Sequence, residues 1–248
     1  MTNQVQEAET SIRVRTLPLF RAQSAGHTYG SGSTAVVAVR GVTCAIDAGA
    51  RIALTGPSGS GKSTLLHMIA GLERPTRGEV EWPGLGGHPA GRPHEVGVIF
   101  QGLSLIPSLD AMQNVALPLV LGGLPHEEAQ ARALESLGRL HLEAFAHKLP
   151  DELSGGQSQR VAVARVLATA PKLILADEPT GQLDHSAGPH VIEVLVEAAD
   201  QLGAALVVST HDPIIAARFP TRWTMHDGVL VSTDADDTDA TDDEGNEE

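Results

Sequence analysis

Short apolar runs recur along the chain, and each ends at a glycine or a polar residue. Four of them are rich in Val, Ile and Leu and lack the strict alternation of a half-exposed strand: Arg51–Thr55, Val96–Phe100, Leu173–Ala176 and Ala205–Ser209. Continuous apolar runs of this length are typical of strands that are buried on both faces of a parallel sheet. We therefore predict four buried parallel strands.

Amphipathic stretches alternate with these runs. Apolar residues at helical spacing predict helices over Lys62–Ala70 and Val191–Leu202, which makes the pattern α/β. Between Gln101 and Ser154 the strand signals disappear, and we interpret this region as an α-helical insertion. The helices predicted within it are Ala111–Gly122, Glu127–Leu140 and Glu143–Leu149. Two regions rich in Gly, Thr and Val, Thr16–Ile46 and Val80–Val98, favour a small antiparallel sheet.

Composition and charge exclude several classes of protein. The 248 residues include 17 Lys and Arg against 31 Asp and Glu, which gives a formal net charge of −14. With 42% hydrophobic residues the chain is expected to fold. Nine of the acids lie in residues 233–248, so the rest of the chain carries −5 and this segment is predicted to be a disordered acidic tail. An acidic body does not bind nucleic acid or anionic lipid by simple electrostatics, so any phosphate chemistry requires a local site.

Other features bear on the cellular compartment. Cys44 is the only cysteine, which rules out an intrachain disulfide, and its apolar neighbours indicate a small buried hydrophobe. The polar N-terminus lacks the pattern of a secretory signal, and no stretch approaches the roughly 18 consecutive apolar residues of a membrane span. We expect no direct membrane insertion and a cytosolic or peripheral protein whose partner supplies any membrane component.

The strongest local motif follows the first predicted strand. Gly56 to Ser63 fits G-x-x-x-x-G-K-[ST] and precedes a predicted helix. Its glycines let backbone N–H groups surround phosphates, and the helix directs its positive end at them. Lys62 is expected to neutralise the β and γ phosphates and Ser63 to bind Mg²⁺. The expected ATP contacts of this loop are Gly56, Pro57, Ser58, Gly59, Ser60, Gly61, Lys62, Ser63 and Thr64.

Two carboxylates follow the third apolar run. Asp177 suits Mg²⁺, either directly or through water, and Glu178 suits a general base or a water-positioning group. An ordinary acidic strand end is the commoner interpretation of an isolated Asp-Glu pair. The phosphate loop in the same chain makes the catalytic interpretation the favoured one.

A third motif identifies a family. Leu153–Gln157 reads Leu-Ser-Gly-Gly-Gln, and together with the two motifs above it makes the sequence resemble the nucleotide-binding domain of ATP-binding cassette (ABC) ATPases over Val14–Ser232, roughly nine-tenths of the chain. The resemblance implies an α/β phosphate-loop NTPase core with a small antiparallel β subdomain and an α-helical insertion. The expected boundaries are a flexible N-terminus at 1–11, the ABC ATPase domain at 12–232 with its helical subdomain at about 102–158, and the acidic tail at 233–248.

The resemblance also implies roles for residues outside the two phosphate motifs. Gln101 resembles the Q-loop glutamine that monitors metal and water, and His211 resembles the switch histidine that contacts the γ-phosphate. Tyr29 resembles the aromatic residue that stacks on adenine, which is the favoured interpretation; the alternative is that it fills a surface groove. The expected catalytic set is Glu178, His211 and Gln101. The expected Mg²⁺ contacts are Ser63, Gln101 and Asp177.

In this family the signature peptide acts across a dimer. The resemblance implies that Ser154, Gly155, Gly156 and Gln157 face the γ-phosphate held by another subunit, and that Asp184 of the D-loop communicates across the interface. Ser158 departs from the glutamine that is frequent at its position, a change that is expected to be tolerated. Hydrolysis then requires a head-to-tail dimer around two ATP molecules, formed by two copies of this chain or with a related cassette.

Four further segments resemble one branch of the family, the LolD/MacB/FtsE-type ATPases that pair with FtsX-like permeases. They are Tyr29–Ala35, Phe100–Leu109, Asn114–Leu119 and Ala176–Asp184. The branch implies a peripheral ATPase on the cytoplasmic face that powers a separate FtsX/MacB-type permease in the export or extraction of lipoprotein, peptide or drug. The alternative is a mechanical signalling module that regulates a cell-wall hydrolase through a non-transporting partner, and the residues leave both open. Soluble cassettes of translation or DNA repair are disfavoured, because tandem cassettes and long coiled-coil insertions are missing.

The expected docking site for the permease is the groove beside Gln101, against Leu103–Leu119 of the helical insertion. The apolar residues of this segment are equally suited to the core of the subdomain. They are Leu103, Leu105, Ile106, Met112 and Val115.

Overall fold

The computed structural model describes residues 17–92, 94–102, 104–181 and 188–234. In chain order the strands are β1 Phe20–Tyr29, β2 Val36–Ile46, β3 Arg51–Thr55, β4 Arg77–Glu81, β5 Val96–Ile99, β6 Leu173–Asp177, β7 Ala205–Ser209, β8 Thr221–His226 and β9 Val229–Asp234. The helices are α1 Lys62–Ile69, α2 Ala111–Leu121, α3 His126–Gly138, α4 Gly155–Ala168, α5 Gly188–Leu202 and α6 Pro213–Ala216.

The central sheet has six strands in the order β5-β6-β7-β3-β8-β9. Strands β5, β6, β7, β3 and β8 are parallel, and β9 is antiparallel to β8. The four strands predicted from apolar runs are therefore neighbours, as expected of an α/β core. Since they are parallel, their carboxyl ends lie at the same edge of the sheet.

Two hydrophobic clusters cover the two faces of this sheet. Alternate residues of each buried strand enter different clusters: Ile174 packs with α4 and α5, whereas Leu173 and Leu175 pack with α1 and the second sheet. All five residues of β6 are buried. Burial on both faces explains why these strands read as continuous apolar runs.

The second sheet is antiparallel, as predicted, in the order β2-β1-β4. One of its two predicted source regions is only partly right. Arg77–Glu81 forms β4, but Val96–Val98 belongs to β5 of the central sheet. Between these strands Pro83–Leu85 and Pro89–Gly91 form 3₁₀ turns, because proline lacks the N–H that a strand ladder needs.

Helices α2, α3 and α4 lie between β5 and β6 in the chain and pack against one another. The helix predicted over Glu143–Leu149 is wrong, since the segment forms only a 3₁₀ turn at Glu143–Phe145. Its later carbonyls accept hydrogen bonds from the start of α2: Met112 N donates to Ala146 O and Ala111 N to Lys148 O, at 2.8 and 2.9 Å. Pro150 also disfavours helical backbone at the residue before it.

Strand β9 runs to Asp234, so residues 233 and 234, predicted to begin the tail, belong to a strand. Backbone pairing with Thr221 and Arg222 of β8 extends the ladder that far. Residues 1–16 and 235–248 lie outside the described part of the chain. Among the described helices none is long and apolar enough to cross a membrane.

Candidate functional site

The carboxyl edge of the central sheet gathers most of the predicted site. Strand β3 leads into the glycine-rich loop, β5 into Gln101, β6 ends at Asp177, and β7 leads to His211. A cleft of about 670 Å³ opens at this edge. It is lined by Tyr29, Val36, Val37, Ala38, Gly56, Pro57, Ser58, Gly59, Gly61, Lys62, Ser63, Thr64, Gln101, Glu178 and His211.

Backbone geometry makes two glycines of the loop obligatory. Gly56 has φ 138°, and a Cβ placed on it would lie 2.1 Å from Met225 O. Gly61 has φ 102°, and its Cβ would lie 2.1 Å from Ala38 O. Only glycine combines these angles with so close an approach of neighbouring backbone. Strands β2 and β8 therefore fix the shape of the loop.

Lys62 is held inside the loop. The residue is 6% exposed, and its Nζ donates hydrogen bonds to Gly56 O at 2.9 Å and to Pro57 O at 3.0 Å. Helix α1 begins at Lys62, so its unpaired N–H groups and the positive end of its dipole lie at the loop. A glycine cradle, an ammonium group and a helix start together fit a triphosphate.

A buried serine bonds to both acidic residues, to the carboxylate of Asp177 and to the backbone N–H of Glu178. Asp177 is 6% exposed and accepts a hydrogen bond from Ser209 Oγ at 2.6 Å. Glu178 N donates to Ser209 Oγ at 3.1 Å. The parallel register of β6 and β7 places Asp177 beside Ser209. Sequence reasoning missed Ser209, since the only local signal was its place two residues before His211.

The three predicted catalytic side chains lie close together, with Gln101 and His211 on either oxygen of Glu178. Gln101 Nε2 donates to Glu178 Oε2 at 2.9 Å, and His211 Nδ1 lies 3.7 Å from Glu178 Oε1. Glu178 adopts φ 46°, in the left-handed region that non-glycine residues rarely occupy. This backbone turn costs energy and directs the carboxylate into the cleft, a feature often found at functional sites.

The oxygen donors near the loop suit Mg²⁺. In the chain as the structure describes it, no group of three or more His, Cys, Asp or Glu side chains is arranged to hold a metal ion. A cation here would rely on the hydroxyl of Ser63, the carboxylate of Asp177, the amide oxygen of Gln101 and the phosphates of a nucleotide. Such hard oxygen ligands, shared with a substrate, are typical of Mg²⁺ sites.

Tyr29 also lines the cleft. It is 40% exposed, and two exposed valines, Val36 and Val37, line the cleft beside it. Its hydroxyl lies 3.3 Å from Thr64 Oγ1, and its ring packs edge-on against His27 with centroids 4.4 Å apart. An aromatic ring and apolar side chains fit the flat face of a base.

The signature peptide forms the start of α4. Gln157 N donates to Ser154 Oγ at 3.2 Å, and Ser154 N donates to Gln157 Oε1 at 2.8 Å, which is a reciprocal capping box. Ser154 and Gly155 are exposed, and the four signature residues are not among those that line the cleft. Ser158 is buried, with only 3% of its surface exposed. The structure therefore does not bring the signature to this chain's own phosphate loop. Asp184 lies outside the described residues.

The expected docking segment divides between core and surface. Met112 and Val115 are buried, with exposed fractions of 8% and 0%, and belong to the hydrophobic core. Leu105 packs against that core, and Ile106 is 37% exposed. Leu103 lies outside the described residues. The core interpretation is thus right for the two α2 residues, and Ile106 is an exposed apolar residue of this set.

Comparison with known proteins gives a consistent picture. A family described as "ABC transporter" matches residues 39–181. The chain is 41% identical over 213 residues to the lipoprotein-releasing system ATP-binding protein LolD of Paramagnetospirillum magneticum, with 82% of this chain and 93% of that protein covered. It is 39% identical over 222 residues to LolD of Legionella pneumophila (strain Paris), with 86% and 97% covered.

Solved structures agree in fold. The dimeric ATP-binding cassette MJ0796, in a post-hydrolysis state bound to ADP and Pi, aligns with a TM-score of 0.81 and 37% identity, covering 87% of this chain and 98% of that one. CbiO1 from Clostridium perfringens, part of the ABC transporter complex CbiONQ, aligns with a TM-score of 0.77 and 27% identity, covering 90% and 91%. The chain therefore belongs to the ABC transporter family and is an ATP-binding and ATP-hydrolysing transporter subunit.

Proposed function

We propose that this chain is the peripheral ATPase of a lipoprotein-releasing transporter, acting from the cytoplasmic face on a separate permease of FtsX/MacB type. The observation that carries the ATPase part of the proposal is the division of the site. The cleft holds the phosphate loop, Gln101, Glu178 and His211, whereas the exposed start of α4 lies outside its lining. The names of the LolD relatives support lipoprotein as the substrate class.

Each group has a chemical task in this proposal. The loop amides and Lys62 bind the β and γ phosphates. Ser63, Asp177 and Gln101 would hold Mg²⁺, which would neutralise part of the phosphate charge. Glu178 accepts a proton from the attacking water through its carboxylate, which Gln101 orients at 2.9 Å. His211, 3.7 Å from the same carboxylate, contacts the γ-phosphate. Tyr29 stacks on the base.

The second half of each site comes from another subunit. Ser154 and the free amides at the start of α4 are exposed and carry the positive end of a helix dipole, which suits a γ-phosphate. Two chains arranged head to tail then enclose two ATP molecules. The solved structure of MJ0796, bound to ADP and Pi, is dimeric, which supports dimerisation.

The permease is proposed to dock beside Gln101. Ile106, five residues after Gln101, is an exposed apolar side chain, and its neighbour Leu105 packs against the core. Closure of the dimer moves this surface and transmits the ATP cycle to the permease. The resemblance of Phe100–Leu109 to the FtsX-paired branch supports this partner type.

Glu178→Gln tests the site and the dimer together. The amide cannot accept the proton, so hydrolysis should fall about 10²- to 10⁴-fold while ATP binding is retained. With ATP the variant should run as a dimer in light scattering after gel filtration. Lys62→Ala is the control, since it should lose ATP binding and remain monomeric. Near-normal turnover of Glu178→Gln would rule out its role as base.

Reconstitution tests the transporter assignment. The chain is combined in lipid vesicles with its FtsX-like permease and a fluorescent triacylated lipoprotein. ATP should release the lipoprotein from the vesicles, and Glu178→Gln should abolish release. ATP hydrolysis that the permease stimulates without any release of lipoprotein would contradict the substrate class and leave the ATPase assignment intact.

A further inference from the structure

Tyr29 is held by contacts on two sides. Its hydroxyl lies 3.3 Å from Thr64 Oγ1, and its ring meets the ring of His27 edge-on, with centroids 4.4 Å apart and planes at 66°. Tyr29 is 40% exposed and lines the cleft, whereas His27 is 7% exposed and is not among the lining residues. His27 therefore supports the tyrosine from behind the cleft.

His27 is itself anchored. Its Nδ1 lies 2.8 Å from Arg74 O, and because a carbonyl oxygen only accepts, Nδ1 carries the proton. Its Nε2 lies 3.9 Å from Glu73 Oε2. Glu73 and Arg74 belong to the segment between α1 and β4. The orientation of the imidazole is thus set by groups outside its own strand.

These contacts tie Tyr29 to both ends of one helix. Thr64 lies in the first turn of α1, two residues after Lys62, and Glu73 and Arg74 follow the end of that helix. The aromatic ring and the phosphate loop are therefore fixed to the same rigid element. A ring already held in place loses less conformational freedom when a ligand stacks on it.

We propose that His27 is a positioning residue that holds the Tyr29 ring as a preformed platform for the adenine base. His27 contributes to ATP affinity through Tyr29 and does not touch the nucleotide. This inference rests on the proposed function, in which Tyr29 stacks on the base.

The test is a double-mutant cycle with a ligand that lacks the base. The variants are His27→Gln, Tyr29→Ala and the two combined, and calorimetry measures the Kd of ATP and of inorganic tripolyphosphate. His27→Gln should weaken ATP about three- to tenfold, raise KM to a similar extent and leave kcat unchanged, with no effect on tripolyphosphate. In the Tyr29→Ala background His27→Gln should add nothing.

His88→Gln is the matched control. The ring of His88 meets Trp82 edge-on with centroids 4.7 Å apart and planes at 62°, and His88 does not line the cleft. His88→Gln should change neither the Kd of ATP nor that of tripolyphosphate. A His27→Gln variant that weakens ATP and tripolyphosphate equally would show general damage to the fold and overturn the proposal.

The other outcomes separate this inference from the function on which it rests. If Tyr29→Ala weakens ATP but His27→Gln does not, the platform role is wrong and base stacking stands. If Tyr29→Ala leaves the Kd of ATP unchanged, base stacking by Tyr29 fails, and the platform role fails with it. ATP hydrolysis by the unaltered chain is independent of both.

A measurement on the unaltered protein covers the case in which His27→Gln fails to fold. Tyr29 is the only tyrosine, so labelled tyrosine gives a single ring system in NMR spectra. Nuclear Overhauser contacts between the His27 and Tyr29 rings should be present without ATP and persist when ATP binds. Their absence in the free protein would overturn the proposal.

Discussion

Backbone angles at single residues decide which chemical groups reach the cleft. Gly56 and Gly61 adopt positive φ where a Cβ would collide with the carbonyls of Met225 and Ala38. Glu178 adopts φ 46° without being a glycine, which turns its carboxylate toward Gln101 and His211. The strain at Glu178 is offset by its N–H, which donates to Ser209.

Residue identities were the most predictable part of the site. Gln101, Glu178, His211, Tyr29 and the loop residues other than Ser60 were chosen from sequence and line one cleft. Ser60, predicted as an ATP contact, is 3% exposed and is not among the lining residues. Ser209 and His27 were missed. Ser209 binds Asp177, and His27 is anchored by the carbonyl of Arg74. Both partners are far away in the chain, and no local sequence pattern indicates such contacts.

Cys44 gives a prediction at the residue scale. Burial raises the pKa of its thiol from 9.0 to about 12, so the native thiol stays protonated at pH 8. Alkylation by iodoacetamide at pH 8 should be slow in the native protein and fast in urea. Rapid native alkylation would contradict the prediction.

The same shift affects stability. The folded pKa lies above the unfolded one, so the protonated thiol favours folding below about pH 9, and this contribution is lost as pH rises toward about 12. The free energy of unfolding should therefore fall with pH in this window. The fall should be shallower in Cys44→Ala, measured by urea titration.

At the scale of elements, the first turn of α4 both stabilises the helix and carries the signature peptide. Its first turn is closed by the capping box of Ser154 and Gln157, and its later turns carry Arg165, which donates to Ser104 O and Oγ at 2.8 and 2.6 Å. Burial lowers the pKa of Arg165, and these two hydrogen bonds offset part of that desolvation. The helix thus links the signature peptide to the segment after Gln101.

Ser154 variants separate the two roles of this helix start. Ser154→Ala removes the cap and should lower stability by about 1 kcal/mol, whereas Ser154→Asp keeps a capping oxygen and should stay close to the original stability. Both should lower ATPase activity, and Asp more strongly because its charge repels the γ-phosphate. Urea unfolding and steady-state hydrolysis measure the two effects.

Helix α2 supplies the control. Asp110 caps it with the same reciprocal arrangement, through Gln113. Asp110→Ala should lower stability by about the same amount as Ser154→Ala and leave kcat largely intact. Equal loss of activity in the two alanine variants would show that the signature effect is only structural.

Element boundaries were predicted well where burial is uniform and poorly where tertiary contacts compete. Strands β3 and β7 begin and end where the apolar runs do. Glu143–Leu149 has a helical pattern, yet the carbonyls of Ala146 and Lys148 accept hydrogen bonds from the N-terminus of α2. A long-range hydrogen bond of this kind overrides local propensity.

At the scale of the whole molecule, the net charge of −14 and a phosphate site coexist because the positive field is local. Lys62, the loop amides and the starts of α1 and α4 concentrate it within an acidic body.

Truncation tests the end of the folded body. Removing residues 235–248 should leave ATPase activity within about twofold and Tm unchanged, since every described strand and helix is retained. Removing residues from Thr233 onward also deletes two pairs of the β8–β9 ladder and should lower Tm. A large loss of activity in the shorter truncation would show that the tail takes part in the reaction.

The sequence by itself determined the family, the α/β class and the chemistry of the cleft, because glycine spacing, apolar runs and strand-end carboxylates are local patterns with direct physical causes. Only the tertiary structure decided the order β5-β6-β7-β3, the contact of Ser209 with Asp177 and the contact between the rings of Tyr29 and His27. These depend on strand register and on packing between distant segments, which residue patterns do not encode locally.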